Sequence, residues 1–404
     1  MKSFSFPKQR TKVHEDAFPL LFAKRSPQSL FPSLSSLDFS ILSCGSSNFP
    51  LIRGFLSPKL TNLRLALPQN VSPHVIYGVL EDIPRKAVHL ENVVISSFIP
   101  ATSFELNLPT HVLPHLRRLV IANSIRISAD SVLNVASLRY VQELTLNLHP
   151  DFEALYDVPC NTFPALRSLV LTACHLPQCT SFVSLISSPQ LDELSVSYNT
   201  QAKPSIVTSF FSVIGTSIRS ISVRHHIQHN TTAEAPFIFS PSTFAPLLAC
   251  RNLRSVRVVN VGTLNLDDEF IVSAAKAWNR LEDITLSSLP WSFAIPNISL
   301  NSLTALSQHC PQLTRVHLVL DAREVPEIPN DSVNMVGARL LRVLNIGDSV
   351  LECIEPVAQF LWRIMPNMKV LSVEAHAELR DKWMDVKAHY DQLRAEPLLD
   401  GNLE

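Results

Sequence analysis

Apolar side chains recur along this chain in a fixed rhythm: one aliphatic, two mostly polar places, a second aliphatic, one more place, a third. The phrase "FPALRSLVL" at Phe163–Leu171 shows it, and "LPHLRRLVI" (Leu113–Ile121), "SPQLDELSV" (Ser188–Val196) and "MPNMKVLSV" (Met365–Val373) repeat it. Written L-x-x-L-x-L, with Ile, Val, Met or Phe allowed, the pattern starts at Leu34, Leu60, Leu90, Leu116, Val141, Leu166, Leu191, Ile218, Leu253, Leu281, Leu313, Leu341 and Met368. The second and third aliphatics are two apart, so a strand carries them on one face, while the residues around the middle one point the other way. Each phrase therefore predicts a short strand, buried on one side and wet on the other. Proline stands just before the first aliphatic at Pro32, Pro58, Pro114, Pro164, Pro189, Pro311 and Pro366, where a strand is beginning and a missing N–H is harmless.

The spacing turns these strands into a fold. Leu34 to Met368 is 334 residues in twelve intervals, about 28 per repeat, and the intervals from Leu90 to Leu191 are 26, 25, 25 and 25. Between phrases, "SIVTSFFSVIGTSI" (Ser205–Ile218), "LDDEFIVSAAKAWNRL" (Leu266–Leu281) and "SLNSLTALSQHCPQL" (Ser299–Leu313) carry apolar residues at helical spacing. Asp267, Asp268 and Glu269 stand where capping and the helix dipole favour acids. Strand then helix at a fixed period predicts a curved α/β solenoid over 31–373, with parallel strands on the concave face and helices on the convex one. In the tail, 374–404, "ELRDKWMDVKAHYDQLR" places Leu379, Trp383, Val386, Tyr390 and Leu393 on one helical stripe. That stripe predicts a helix capping the last layer, with a docking arm as the alternative. Residues 1–30 show no comparable helix. Long intervals at Leu60–Leu90, Ile218–Leu253 and Leu281–Leu313 predict expelled loops, among them "HHIQHNTTAEAPFIFSPST" and "SSLPWSFAIPN".

These phrases resemble leucine-rich repeats of the ribonuclease-inhibitor-like kind, whose long repeats carry helices on the convex side. The family's Asn or Cys three places after the third aliphatic stands only at Cys174 and Asn199. The irregular spacing and the "P-x-L-R-x-L-x-L" wording resemble the repeat halves of fungal F-box proteins. That resemblance implies a non-catalytic interaction scaffold, the substrate-recognition part of an F-box type ubiquitin ligase subunit. A Skp-type adaptor would then be a partner through an F-box preceding the repeats. "EDAFPLLFAKRSPQSLFPSL" leaves no room for one, so the motif is expected to be lost or to lie upstream of Met1. The alternative is a stand-alone repeat protein that binds or inhibits a partner without a ligase role.

Composition narrows the chemistry. Hydrophobic residues make up 46% and charged ones 17%, enough for an extended core, while 8 glycines against 29 prolines disfavour glycine-rich phosphate loops. No G-x-S-x-G or Walker sequence occurs, so neither enzyme nor cofactor is expected. A net charge of −1 gives no reason to expect nucleic acid, and no run approaches the ~18 apolar residues of a membrane span. Seven cysteines without a C-x-x-C pair suggest a reduced compartment, cytoplasm or nucleus. Sequons at Asn70, Asn230, Asn297 and Asn330 are then chance matches. His225, His226 and His229, and the pair Cys174–His175, lack the ligand spacing of a zinc site, so no metal is expected. Six repeats put Arg or Lys after the first aliphatic (Arg117, Arg167, Arg219, Arg254, Arg342, Lys369), a basic rim diluted by Glu91, Asp192 and Glu282. Outward positions offer partner-binding candidates in Arg118, Glu143, Glu193, Arg257, Asp283, Arg315 and His317, and the expelled loops add Phe237, Trp291 and Phe293. Large aromatics are absent from the outward positions read.

Overall fold

The computed structural model describes residues 3–5, 31–39, 46–67, 71–97, 104–105, 113–122, 125–127, 129–136, 138–152, 162–227, 236–288, 296–327, 337–373 and 377–395. The chain forms two compact units, 1–196 and 197–404.

Every aliphatic that starts a phrase is buried, from Leu34 at 0% exposed to Leu191 at 7%. The local cause is a tight turn. The N–H of the starting residue donates to the carbonyl three residues back, as in Leu166 to Phe163, Leu253 to Cys250, Leu281 to Trp278, Leu313 to Cys310 and Met368 to Met365. In the turn at Phe163, Pro164 occupies the second place, where its fixed φ is already correct. Proline thus belongs to the turn, two residues ahead of the aliphatic, rather than to the strand.

In the N-terminal unit the strands Ser36–Phe39, Asn62–Leu67, Asn92–Ser97, Arg118–Ile121, Glu143–Asn147 and Ser168–Ala173 pair side by side, all parallel. Leu63, Val93, Leu119, Leu144 and Leu169 stand in register as one buried row. Leu65, Ile95 and Ile121 form a second. The strand Ser3–Ser5 pairs parallel with Ser36–Asp38, ahead of the first repeat. The helices Pro73–Lys86, Ala129–Ala136 and Leu176–Ser184 connect the strands.

The C-terminal unit is built alike. Its strands Ser220–His225, Ser255–Val259, Asp283–Ser287, Arg315–Leu318, Val343–Asn345 and Val370–Ser372 are consecutive and parallel. Ile221, Val256, Ile284, Val316 and Leu344 form the buried row. The helices expected from periodicity are Pro204–Ser212, Asp268–Ala277 and Leu300–His309. Asp267 caps the second, its Oδ1 accepting from the Phe270 N–H at 2.8 Å. Asp268 ties it to the next helix, accepting from the Ser299 N–H, the Ser299 hydroxyl and the Ser302 hydroxyl. A parallel strand per repeat, helices between, and an aliphatic row repeating in register make the fold a leucine-rich-repeat solenoid.

The 225–243 segment is less of a loop than its composition predicts. His225 ends a main strand, Ile238–Phe239 pairs with Thr263–Leu264, and Pro241–Phe244 is helical. At the far end the helix Ala377–Ala395 buries Trp383, Val386 and Tyr390 completely, with Leu379 and Leu393 half-buried on the same stripe. Trp383 Nε1 donates to the Ser349 carbonyl at 2.8 Å, and the Tyr390 hydroxyl donates to the Met365 carbonyl at 2.6 Å. The Met368 N–H in turn donates to the Tyr390 oxygen at 3.0 Å.

Candidate interaction surface

The alternation that buries one face of each strand displays the other, and parallel register lines the displayed side chains up in rows. In the N-terminal unit Asn62, Asn92, Arg118, Glu143 and Ser168 form one row. Arg118 Nε lies 2.9 Å from the Glu143 carboxylate, and the Ser168 hydroxyl donates to Glu193 at 3.0 Å. The next row reads Arg64, Val94, Val120, Thr145, Val170. Three of those are valines, and Val170 is 36% exposed. A third row lies where the strands begin: the N–H of Thr61, Glu91, Arg117, Gln142, Arg167 and Asp192 each donates to the equivalent residue of the preceding repeat.

In the C-terminal unit one row is Ser220, Ser255, Asp283, Arg315, Val343 and Val370, and the next is Ser222, Arg257, Thr285, His317, Asn345 and Ser372. Asp283 is 8% exposed and sits between two guanidiniums, with Arg257 Nη2 at 2.5 Å and Arg315 Nε at 3.9 Å. Arg254 meets Glu282 at 3.3 Å in the row where the strands begin.

The structure therefore gathers Arg257, Asp283, Arg315 and His317 on adjacent strands of one face, and pairs Arg118 with Glu143 on the other unit. Phe237 lies half-buried on the stretch leading to Ile238–Phe239, away from the rows. Trp291 and Phe293 lie outside the described residues. Val94, Val343 and Val370 also stand in the outward rows, at the same phrase positions of their repeats as the sequence-derived candidates. His225 faces inward, stacked on Tyr198 at 5.4 Å, with Nδ1 3.2 Å from the Asn260 carbonyl and Nε2 3.3 Å from that of Asn199. His229 lies outside the described residues. Among the described residues no group of three or more His, Cys, Asp or Glu could hold a metal ion. Burial pushes the Cys310 thiol up to about 12 and raises Cys179 and Cys250 too, so all three act as apolar filling rather than nucleophiles.

No protein-family model matches the chain, and no curated protein matches it in sequence. Among solved structures it is similar to a chain of the Rad7 and Elc1 complex in yeast, at 12% identity and a TM-score of 0.31, over 83% of this chain and 86% of that one. A likeness of that size assigns no function. No helix among the described residues is long and apolar enough to cross a membrane.

Proposed function

We propose that this chain is a non-catalytic protein-interaction scaffold, serving as the substrate-recognition part of an F-box type ubiquitin ligase subunit in the cytoplasm or nucleus. Residues 31–373 form the recognition domain and 374–404 its cap. The observation that carries the reading is the Arg257–Asp283–Arg315 group: on three consecutive strands, a nearly buried carboxylate holds two partly exposed guanidiniums on the outward face of a sheet whose other face is packed. Charges held in register on a rigid sheet orient a partner with little ordering cost. His317 extends that group within the C-terminal unit, Arg118, Glu143 and Glu193 are displayed on the N-terminal unit, and Phe237, Trp291 and Phe293 are further partner-binding candidates. Such a surface holds a target; an enzyme carried by other subunits acts on it. Skp-type adaptor binding needs F-box helices, and the placing of Pro7, Pro19 and Pro27 in the sequence of 1–30 disfavours them. The test is co-purification with the adaptor. The 404-residue chain is expected to fail and a version extended upstream to encode an F-box to succeed. Adaptor binding by the short chain refutes the reading of residues 1–30. If neither form binds, a stand-alone binding protein is the better account.

A further inference from the structure

The two units share an architecture and differ in the charge they display. On its outward rows and strand-start row the C-terminal unit carries Arg219, Arg254, Arg257, Arg315, Arg342 and Lys369 against only Glu282 and Asp283. Matching positions of the N-terminal unit hold Arg64, Arg117, Arg118 and Arg167 against Asp38, Glu91, Glu143, Asp192 and Glu193. With the chain at −1 overall, the excess of cations is a matter of placement, not of composition.

Both carboxylates of the basic face are already engaged. Glu282 meets Arg254, and the buried Asp283 holds Arg257 and Arg315 side by side. The buried Nε of Arg257 has no hydrogen-bond partner among the described residues, and the Arg315 side chain is 62% exposed. Arg342 and Lys369 are neighbours, the Lys369 N–H donating to the Arg342 carbonyl at 2.9 Å. Next to them Val343 and Val370 stand in register, Val370 being 48% exposed.

Resting on the scaffold reading, we propose that this face of the C-terminal unit docks an extended acidic segment of a partner protein, with aliphatic side chains interspersed among its carboxylates. From Arg219 to Lys369 the strand-start row spans six strands, five spacings of ~4.8 Å or about 24 Å, the reach of about seven extended residues. A peptide can space its acids to meet the cations and set an aliphatic side chain against Val343 and Val370. A nucleic-acid strand fits less well: its evenly spaced phosphates would meet Glu282, and the outward rows offer no Phe, Tyr or Trp to stack a base.

Fluorescence anisotropy of the full chain with a labelled heptapeptide of alternating Glu and Val tests the assignment. Binding is expected at low salt, and the Lys–Val counterpart should not bind. The exposed pair Arg342→Glu with Lys369→Glu should weaken binding by about tenfold or more, circular dichroism confirming the fold. Reversing Arg117 and Arg167 on the other unit should change it by less than about twofold. No binding of the Glu peptide, equal binding of the Lys peptide, equal loss in the Arg117/Arg167 variant, or tighter binding of a single-stranded oligonucleotide of equal charge would each overturn it. If the peptide is ignored while the upstream-extended chain co-purifies with the adaptor, this assignment falls and the scaffold reading stands.

Discussion

Replacing Trp383 separates two contributions that hold the C-terminal helix on the last repeats. Its indole is fully buried, and its N–H supplies the Ser349 carbonyl. Ser349 is itself fully buried; its hydroxyl accepts from the Leu320 N–H at 2.7 Å and donates to the Ile346 carbonyl. One side chain thus links the helix to a polar knot shared by two earlier loops. Trp383→Phe keeps most of the apolar contact and leaves the Ser349 carbonyl without that donor, a cost of about 1–3 kcal/mol. Trp383→Ala also opens a cavity, for a total of about 3–5 kcal/mol or slightly more. Urea unfolding gives the global loss for each variant. Because the chain comprises two units, hydrogen exchange of the amides in 377–395 gives the local one. The alanine variant should lose protection throughout that helix, the phenylalanine variant only in part. Changes below about 0.5 kcal/mol in both variants, with exchange unaltered, would refute the reasoning.

Leu169→Asp places a charge at a position 0% exposed beside Leu144 and should cost several kcal/mol, about 3–5, so an unchanged melting curve would sink the repeat register. Asp268→Ala strips the acceptor from three donors on Ser299 and Ser302 and should lower stability by about 2–3 kcal/mol in the same denaturation assay, with Asp268→Asn losing less. Tyr390→Phe should cost only about 1–2 kcal/mol near neutral pH, since the Met368 N–H keeps its own bond to the Met365 carbonyl. Burial raises the Tyr390 phenol, so the folded state favours its protonated form. That stabilisation is complete below the unfolded value of about 10 and is lost as pH rises through the folded one. The difference between wild type and Tyr390→Phe should therefore shrink above about pH 10; a constant difference would mean the hydroxyl is not buried.

The strands were legible because period-two alternation is enforced by the buried rows, so all thirteen starting aliphatics mark real core positions. Helix ends were not. Ser205–Ile218 reads as one helical stretch, yet the helix stops at Ser212 because the Ile218 N–H is committed to the Gly215 carbonyl in the turn that opens the next strand. The same competition ends the helix Asp268–Ala277 ahead of the Trp278–Leu281 turn. Three histidines in five residues suggest a solvated polar loop, yet His225 is buried, with a backbone carbonyl near each ring nitrogen and the Tyr198 ring stacked on it. Ser3–Ser5 carries a single aromatic and no repeat phrase, so its strand depends on a neighbour that local pattern cannot reveal. On the displayed face, each residue type could be read from its phrase position, but the joining of Arg257, Asp283 and Arg315 depends on register between strands 26 to 32 residues apart.

The backbone ladder where the strands begin has a consequence for how such a chain can change over generations. Each rung joins the N–H of one repeat to the carbonyl of the one before, Gln142 to Arg117, Arg167 to Gln142, Asp192 to Arg167, and none depends on a side chain. Those rungs lie 25 residues apart, so excising 25 codons between two equivalent points would bring matching backbone groups together in frame. Unequal recombination could therefore shorten or lengthen the array by whole repeats while preserving its seams, and each such event would alter the sequence of charges shown to a partner without redesigning the frame beneath them.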